Sequence, residues 1–146
     1  MPKAYCSGTR RRPCDTRSVN REIRPTTIAP PAANYAHAII TEGPARWVHT
    51  AGVVPTAPDG SVPSDLGEQA IQVWANIAAM LSEAQMVAGD IISVTTYVVA
   101  GEELGPVMRA RDEFLDGRRV ASTLVTVPAL ARPEWRVEIA IVAAAP

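Results

Sequence analysis

Residues 89–99 read Gly-Asp-Ile-Ile-Ser-Val-Thr-Thr-Tyr-Val-Val and carry the clearest structural signal in the chain. The opening Gly-Asp pair is typical of a turn, and the residues after it are rich in β-branched side chains, which favour strands. Threonine at positions 95 and 96 suits either face of a sheet. This segment therefore predicts a buried strand, and the elements on either side of it decide the fold class.

A helix is predicted before this strand. Asp65 and Glu68 have the spacing of a capping box, in which each side chain satisfies a free amide at a helix start. Apolar residues, among them Ile71, Trp74 and Ile77, then recur at steps of three and four. The pattern predicts a helix over residues 66–84 with one apolar face against a sheet.

A second, shorter helix is predicted after the strand. Gly105-Pro106 suits a helix start and Gly117 suits its end. Between them runs an amphipathic stripe that contains one charged residue: Val107, Ala110, Arg111, Phe114 and Leu115.

Strand patterns fill the rest of the chain. Three are expected before the first helix, at residues 23–28, 35–41 and 46–51, and the last two should form a hairpin around Gly43-Pro44. Two more are expected at residues 120–127 and 134–143. This order predicts an α+β fold, with two helices on one face of a mixed sheet.

The composition fits one soluble domain with an extension. The chain has 146 residues, 47% of them hydrophobic, and its apolar runs are too short for a membrane span, so we expect no membrane association. We predict a basic extension at residues 1–20 and a single domain at residues 21–146. Cys6 and Cys14 lie in the extension without a metal-binding pattern, which favours reduced thiols in the cytoplasm.

Charge is divided unevenly along the chain. Up to Arg24 there are seven basic residues against two acidic ones, a net charge of +5, whereas the remainder has seven against thirteen, a net charge of −6. The extension could bind RNA phosphates or direct the chain to an organelle, but its composition is also typical of a disordered segment. We favour the last interpretation and do not expect nucleic acid as a partner.

Several kinds of site are absent from the sequence. His37 and His49 fall on separate predicted strands with no carboxylate or thiol at ligand spacing, so no metal site is expected. The chain also has no phosphate-binding loop, no dinucleotide-binding glycine pattern and no nucleophile elbow. We therefore expect no cofactor.

Five segments in order resemble the RidA (YjgF-like) family of imine and enamine deaminases. The resemblance covers about residues 21–143, and its most specific parts are the Gly-Asp strand at 89–98 and the closing strand, in which Glu138 stands between hydrophobic residues. The other parts are the segments at residues 34–38, 48–55 and 69–77.

The resemblance implies a chorismate-mutase-like fold, assembled as a homotrimer with small-molecule clefts between neighbouring subunits. It also implies hydrolysis of reactive imines or enamines to a keto acid and ammonia. Glu138 would be the catalytic residue that orients the attacking water. Tyr35, Gly52 and Thr123 would contribute to ligand binding.

The chain departs from the family pattern at three ligand-binding positions. Ala121 stands where the family has the arginine that grips a substrate carboxylate, Met108 stands in place of an asparagine, and Val53 in place of a glutamine. Arg119 lies on the same strand face as Ala121 and could reach back into the vacated space. These departures imply a more apolar cleft and a less anionic substrate.

Two functions therefore stay open from the sequence. The first is a divergent deaminase, and the second is a trimer whose clefts bind a small metabolite without turnover. RNA binding or cleavage is a third, supported by the basic extension alone.

Overall fold

The structure is a computed structural model that describes residues 19–146. Most of the predicted basic extension, with Cys6 and Cys14, lies outside the described residues. No helix among the described residues is both long enough and apolar enough to cross a membrane.

Within residues 19–146, two α-helices and six strands follow one another, with a single 3-10 turn at Ala88–Asp90 before the fourth strand. They occur in an order that confirms the α+β class: β1 (Asn20–Ile23), β2 (Ala38–Thr41), β3 (Arg46–His49), α1 (Leu66–Glu83), β4 (Ile91–Val99), α2 (Leu104–Phe114), β5 (Ala121–Val127) and β6 (Val137–Ala145).

The main sheet has the strand order β3-β6-β4-β5. Strands β4 and β5 are parallel, whereas β6 pairs antiparallel with both β3 and β4, so the sheet is mixed as predicted. A crossover through α2 joins the parallel pair, as such a pair requires. Strand β5 forms one edge of this sheet.

The predicted hairpin between residues 35–41 and 46–51 is wrong. Strand β2 pairs with β1 in a separate two-stranded sheet, and β3 pairs with β6. The two ends of the Gly43-Pro44 turn bond to different partners, because the Glu42 amide donates to Val19 and the Ala45 amide donates to Ala145. The turn therefore carries the chain from one sheet to the other.

The strand expected at residues 23–28 is also wrong in position. Strand β1 ends at Ile23, which is also its last residue that pairs with β2. Pro25 has no amide hydrogen to donate, so pairing cannot continue through it. Strand β1 also begins at Asn20, the last residue assigned to the extension.

Helix α1 has the predicted bounds within one residue. The Asp65 side chain accepts a hydrogen bond of 3.0 Å from the Glu68 amide, which is the expected N-cap. Trp74 is buried and stacks on Phe114 of α2, with 4.6 Å between the ring centres. The two helices thus share one apolar layer above the sheet.

Alternate residues of β6 separate the two faces of the sheet. Val137, Ile139 and Ile141 are buried in the core under the helices. Their neighbours Glu138 and Ala140 point to the opposite face, which carries no helix. We call this second side the open face; by strand register it carries Trp47, His49, Ser93, Thr95, Tyr97, Val99, Ala121, Thr123, Val125, Val127, Glu138, Ala140, Val142 and Ala144.

Gln69 and Asn76, which helped to define the family resemblance, both hold loops. The Gln69 amide is buried; it donates to the carbonyls of Pro63 and Glu134 at 2.8 and 2.9 Å and accepts from the Arg136 amide at 3.0 Å. Asn76 donates to two loop carbonyls before α1, those of Val54 and Thr56. Both side chains therefore have a structural role.

Candidate functional site

Glu138 and Gly52 lie in direct contact. A Cβ atom at position 52 would stand 2.5 Å from Cδ of Glu138 and closer still to its Oε1. Among residues 19–146, the Glu138 carboxylate has no hydrogen-bond or ion-pair partner, so both of its oxygens are available as acceptors. A half-buried carboxylate without a partner is unusual on a β-strand between apolar residues.

The chain after β3 continues along β6 and sets Gly52 in this position. The Thr50 amide donates to Ile141, and Val53 exchanges two hydrogen bonds with Ile139, at 2.7 and 3.0 Å. Gly52 falls between these two attachments and therefore lies beside Glu138. The Val53 side chain belongs to the hydrophobic core and is 6% exposed, although it also borders an open concavity of about 730 Å³.

Three other predicted ligand-binding residues meet at the β5 edge of the main sheet. Tyr35, Met108 and Thr123 line a concavity of about 380 Å³ between β5, α2 and the loop before β2. The rest of its lining is Ala33, Leu104, Arg111, Ser122 and Leu124. We call this concavity the β5 cleft.

Arg119 lies outside the β5 cleft and binds the backbone of Tyr35, which lines it. Its guanidinium donates two hydrogen bonds, of 2.9 and 2.8 Å, to the Tyr35 carbonyl and forms an ion pair of 3.2 Å with Glu22. Arg119 and His37 both line a separate, smaller concavity of about 180 Å³. The structure therefore does not bring Arg119 to Ala121 but attaches it to the segment that carries Tyr35.

Ala121 is the first residue of β5 and pairs with Ser93. It lies outside the lining of the β5 cleft, whereas its neighbour Ser122 lies within it. Strand alternation turns these two residues to opposite faces, so the cleft position beside α2 belongs to Ser122.

Arg111 is the cleft residue that sequence reasoning missed. It is only 6% exposed, and its guanidinium donates to the Ser122 hydroxyl at 3.3 Å and pairs with Asp112 at 2.8 Å. The signal was present, because Arg111 is the one charged residue in the apolar stripe of the second helix. A buried arginine on such a stripe needs a partner or a ligand.

The two groups of site residues lie apart within one chain. Gly52 and Glu138 are at β6, and Tyr35 and Thr123 are at β5, with the whole of β4 between them. Glu138 pairs with Tyr97 of β4, and Tyr97 pairs with Val125 of β5. Thr123 is therefore two strands away from Glu138 and two residues before Val125 along β5. Standard strand spacings make that separation about 12 Å. Among the described residues, no group of three or more metal-ligating side chains is present.

The comparison with known proteins decides the family. A family model described as Endoribonuclease L-PSP matches residues 26–145, which is most of the chain. The chain belongs to this Rid (YjgF) family. No protein of curated function matches this Rid protein at a significant level.

Solved structures of other Rid proteins share its fold. YyfB from Yersinia pestis, described as a protein of unknown function of the conserved Rid family, is 30% identical and superposes with a TM-score of 0.76 over 86% of this chain and 98% of its own. TdcF from E. coli, solved with bound serine, is 22% identical with a TM-score of 0.64, covering 86% of this chain and 99% of TdcF. Rv2704 from Mycobacterium tuberculosis is 24% identical with a TM-score of 0.59, over 77% and 88% of the two chains. The fold is therefore the chorismate-mutase-like fold that the resemblance implied.

Proposed function

We propose that this Rid protein hydrolyses small imines or enamines in clefts between the subunits of a homotrimer, with Glu138 as the catalytic base. The observation that carries the proposal is the Glu138 carboxylate, which is half-buried against Gly52 and has no partner among residues 19–146. A group in that environment is suited to bind and orient a water molecule.

The arrangement of the two half-sites supports an active site between chains. Glu138 and Gly52 lie about 12 Å from Thr123 within one chain, which is too far for a small imine to contact both. Glu138 lies on the inner strand β6 and Thr123 on the edge strand β5, so Glu138 of one subunit can face the β5 edge of the next. The cleft would then combine Glu138 with Tyr35 and Thr123 of a neighbouring copy.

The open face supports the assembly that such clefts require. It carries Trp47, which is 50% exposed, and Val125, which is 41% exposed, beside small apolar residues of β6. An apolar sheet face of this kind is typical of a surface that another protein covers. A homotrimer would bury it.

The reaction follows from the groups in the cleft. Glu138 accepts a proton from a bound water as the water oxygen bonds to the imine carbon. Glu138 passes this proton to the nitrogen, which gives a carbinolamine. The hydroxyl proton of the carbinolamine then moves to the nitrogen as the carbon–nitrogen bond breaks, and a carbonyl compound and ammonia leave. The hydroxyl group of Thr123 lines the cleft on the same face as Glu138 and can donate a hydrogen bond to the developing carbonyl oxygen.

Binding without turnover is the second candidate, and the lining of the β5 cleft favours it. Met108, Leu104 and Leu124 make much of that lining apolar, as in many small-molecule sites. RNA is a weaker candidate, because residues 19–146 contain nine basic and fourteen acidic residues and so repel phosphate. We propose a cytoplasmic location on composition alone.

The test compares the wild-type protein with Glu138→Gln on 2-iminopropionate, generated in the assay from alanine by an amino-acid oxidase. We expect the variant to lose about 100-fold or more in kcat, since Gln cannot accept the proton, and to retain pyruvate binding. Glu134→Gln changes an exposed glutamate in the same part of the chain and should leave turnover unchanged.

Wild-type activity in Glu138→Gln would overturn the proposed mechanism. Pyruvate binding with no turnover of any imine by the wild-type protein would select the non-catalytic binding function instead.

A further inference from the structure

Arg111 occupies an unusual place for a cation. It lies in the last turn of α2, where a positive charge is favoured by the helix dipole, and it is 6% exposed at the wall of the β5 cleft. Its ion-pair partner is its chain neighbour Asp112, whose side chain is 38% exposed. Among residues 19–146, the buried charge is therefore only partly compensated.

The hydrogen bonds of Arg111 leave part of the guanidinium free. Nε and Nη2 both donate to a single oxygen of Asp112, at 3.0 and 2.8 Å, and Nη1 donates to the Ser122 hydroxyl at 3.3 Å. A guanidinium has five N–H groups. One N–H on Nη1 and one on Nη2 thus have no partner among residues 19–146.

A free N–H on each terminal nitrogen is what a carboxylate binds with its two oxygens. The surroundings match a small, singly charged ligand, since the cleft of about 380 Å³ holds one cation, hydroxyl groups at Ser122 and Thr123, and apolar side chains at Met108 and Leu124. A ligand with several phosphates would leave most of its charge unpaired there.

We propose that Arg111 binds the carboxylate of a small 2-oxo or 2-imino monocarboxylic acid in the β5 cleft. As a statement about substrate, this rests on the proposed function. It replaces the expectation of a less anionic substrate, which depended on Ala121, with a carboxylate site supplied by α2. Arg111 is then the residue that selects for carboxylate.

The experiment measures the affinities of pyruvate and of pyruvamide, its uncharged amide, for the same protein by NMR titration. We expect the wild-type protein to bind pyruvate at least 10-fold more tightly than pyruvamide, and Arg111→Met to lose this preference. Arg109→Met is the matched control, because Arg109 is an exposed arginine of the same helix that lines a different concavity. It should retain the preference.

Arg111 is buried, so Arg111→Met has to be checked by thermal unfolding. If it does not fold, Arg111→Lys carries the test, because lysine keeps the charge and loses the two-pronged geometry. We expect Arg111→Lys to reduce the preference about 10-fold. The ratio of two affinities in one variant does not depend on how stable that variant is.

Equal binding of pyruvate and pyruvamide by the wild-type protein, or an unchanged preference in the Arg111 variants, would overturn the inference. An Arg111-dependent preference without any imine turnover would uphold it while the deaminase proposal fails. Turnover that needs Glu138 but has the same KM in Arg111→Met would uphold the deaminase and overturn the role of Arg111.

Discussion

The Cα atom of Gly52 lies against the carboxylate of Glu138, which leaves no room for a side chain at position 52. Two hydrogen-bonded attachments to β6, at Thr50 and Val53, fix this contact from both sides. The glycine is required here by the closeness of the glutamate, and its backbone does not adopt the left-handed conformation. Changes at position 52 should therefore act on Glu138.

Gly52→Ala is expected to reduce kcat for imine hydrolysis about as strongly as Glu138→Gln does. The new methyl group would displace the carboxylate, which is the end of a flexible side chain, so the stability loss should stay at about 1 kcal/mol. Steady-state kinetics and thermal unfolding measure the two effects. Gly89→Ala is the control, since its nearest atoms outside the adjacent residues would be 3.5 Å away. Full activity in Gly52→Ala would contradict a catalytic role for this contact.

Light scattering after size exclusion should give about three times the chain mass of 15.6 kDa. Val125→Asp introduces a charge into the apolar open face and should shift the protein toward the monomer. Val87→Asp is the matched control, because Val87 is 65% exposed and lies outside the main sheet. A wild-type monomer would remove the intersubunit cleft.

Arg119→Met should raise KM and lower stability by about 1 kcal/mol. The change removes two hydrogen bonds to the Tyr35 carbonyl and the ion pair with Glu22, but the side chain is partly exposed, so solvent offsets part of the loss. Kinetics and urea unfolding measure these effects. Arg118→Met removes one exposed contact to the Ala88 carbonyl and should change neither quantity much. If KM stays constant, Arg119 does not position Tyr35 for binding.

Gln69→Leu is expected to cost about 3 kcal/mol of unfolding free energy. It leaves the Arg136 amide and the carbonyls of Pro63 and Glu134 without their buried partner. Urea unfolding measures the loss. Gln72→Leu removes a single bond to Asn76 and should cost about 0.5 kcal/mol. A similar cost for both variants would show that the buried amide has no special role.

Deleting residues 1–18 should leave both Tm and the oligomeric state unchanged. Their composition offers no apolar face that could pack on the domain. Differential scanning calorimetry and light scattering test this directly. A fall in Tm of several degrees would show that this segment contributes to the fold.

The fold was predictable wherever a pattern depended on local chemistry. Helix α1 and strand β4 follow from the cap at Asp65 and the β-branched run after Asp90, and both are confirmed. The expected hairpin failed because the partners of β2 and β3 are set by distant residues, and no feature of the Gly43-Pro44 turn encodes them. Sequence spacing likewise did not show that β4 lies between Glu138 and Thr123.

Arg111 shows a different limit of sequence reasoning. Its position in the apolar stripe was visible, but the stripe alone could not distinguish a residue that closes the helix layer from one that faces a cleft. That distinction depends on Ser122, which reaches Arg111 only after the crossover has placed β5 beside α2. The expectation that Ala121 stands in place of the family arginine concerns the same stretch of β5. Along this strand, neighbouring residues such as Ala121 and Ser122 point to opposite faces of the sheet.

The buried Gln69 amide has a consequence for how the protein opens. This side chain bonds to Glu134 and Arg136, which lie 65 and 67 positions further along the chain. The start of α1 and the start of β6 therefore have to form together. Contacts of such long sequence range form late and slow folding. Local fraying of either loop cannot release the Arg136 amide while Gln69 stays in place, so exchange of its hydrogen with solvent should report global unfolding of the domain.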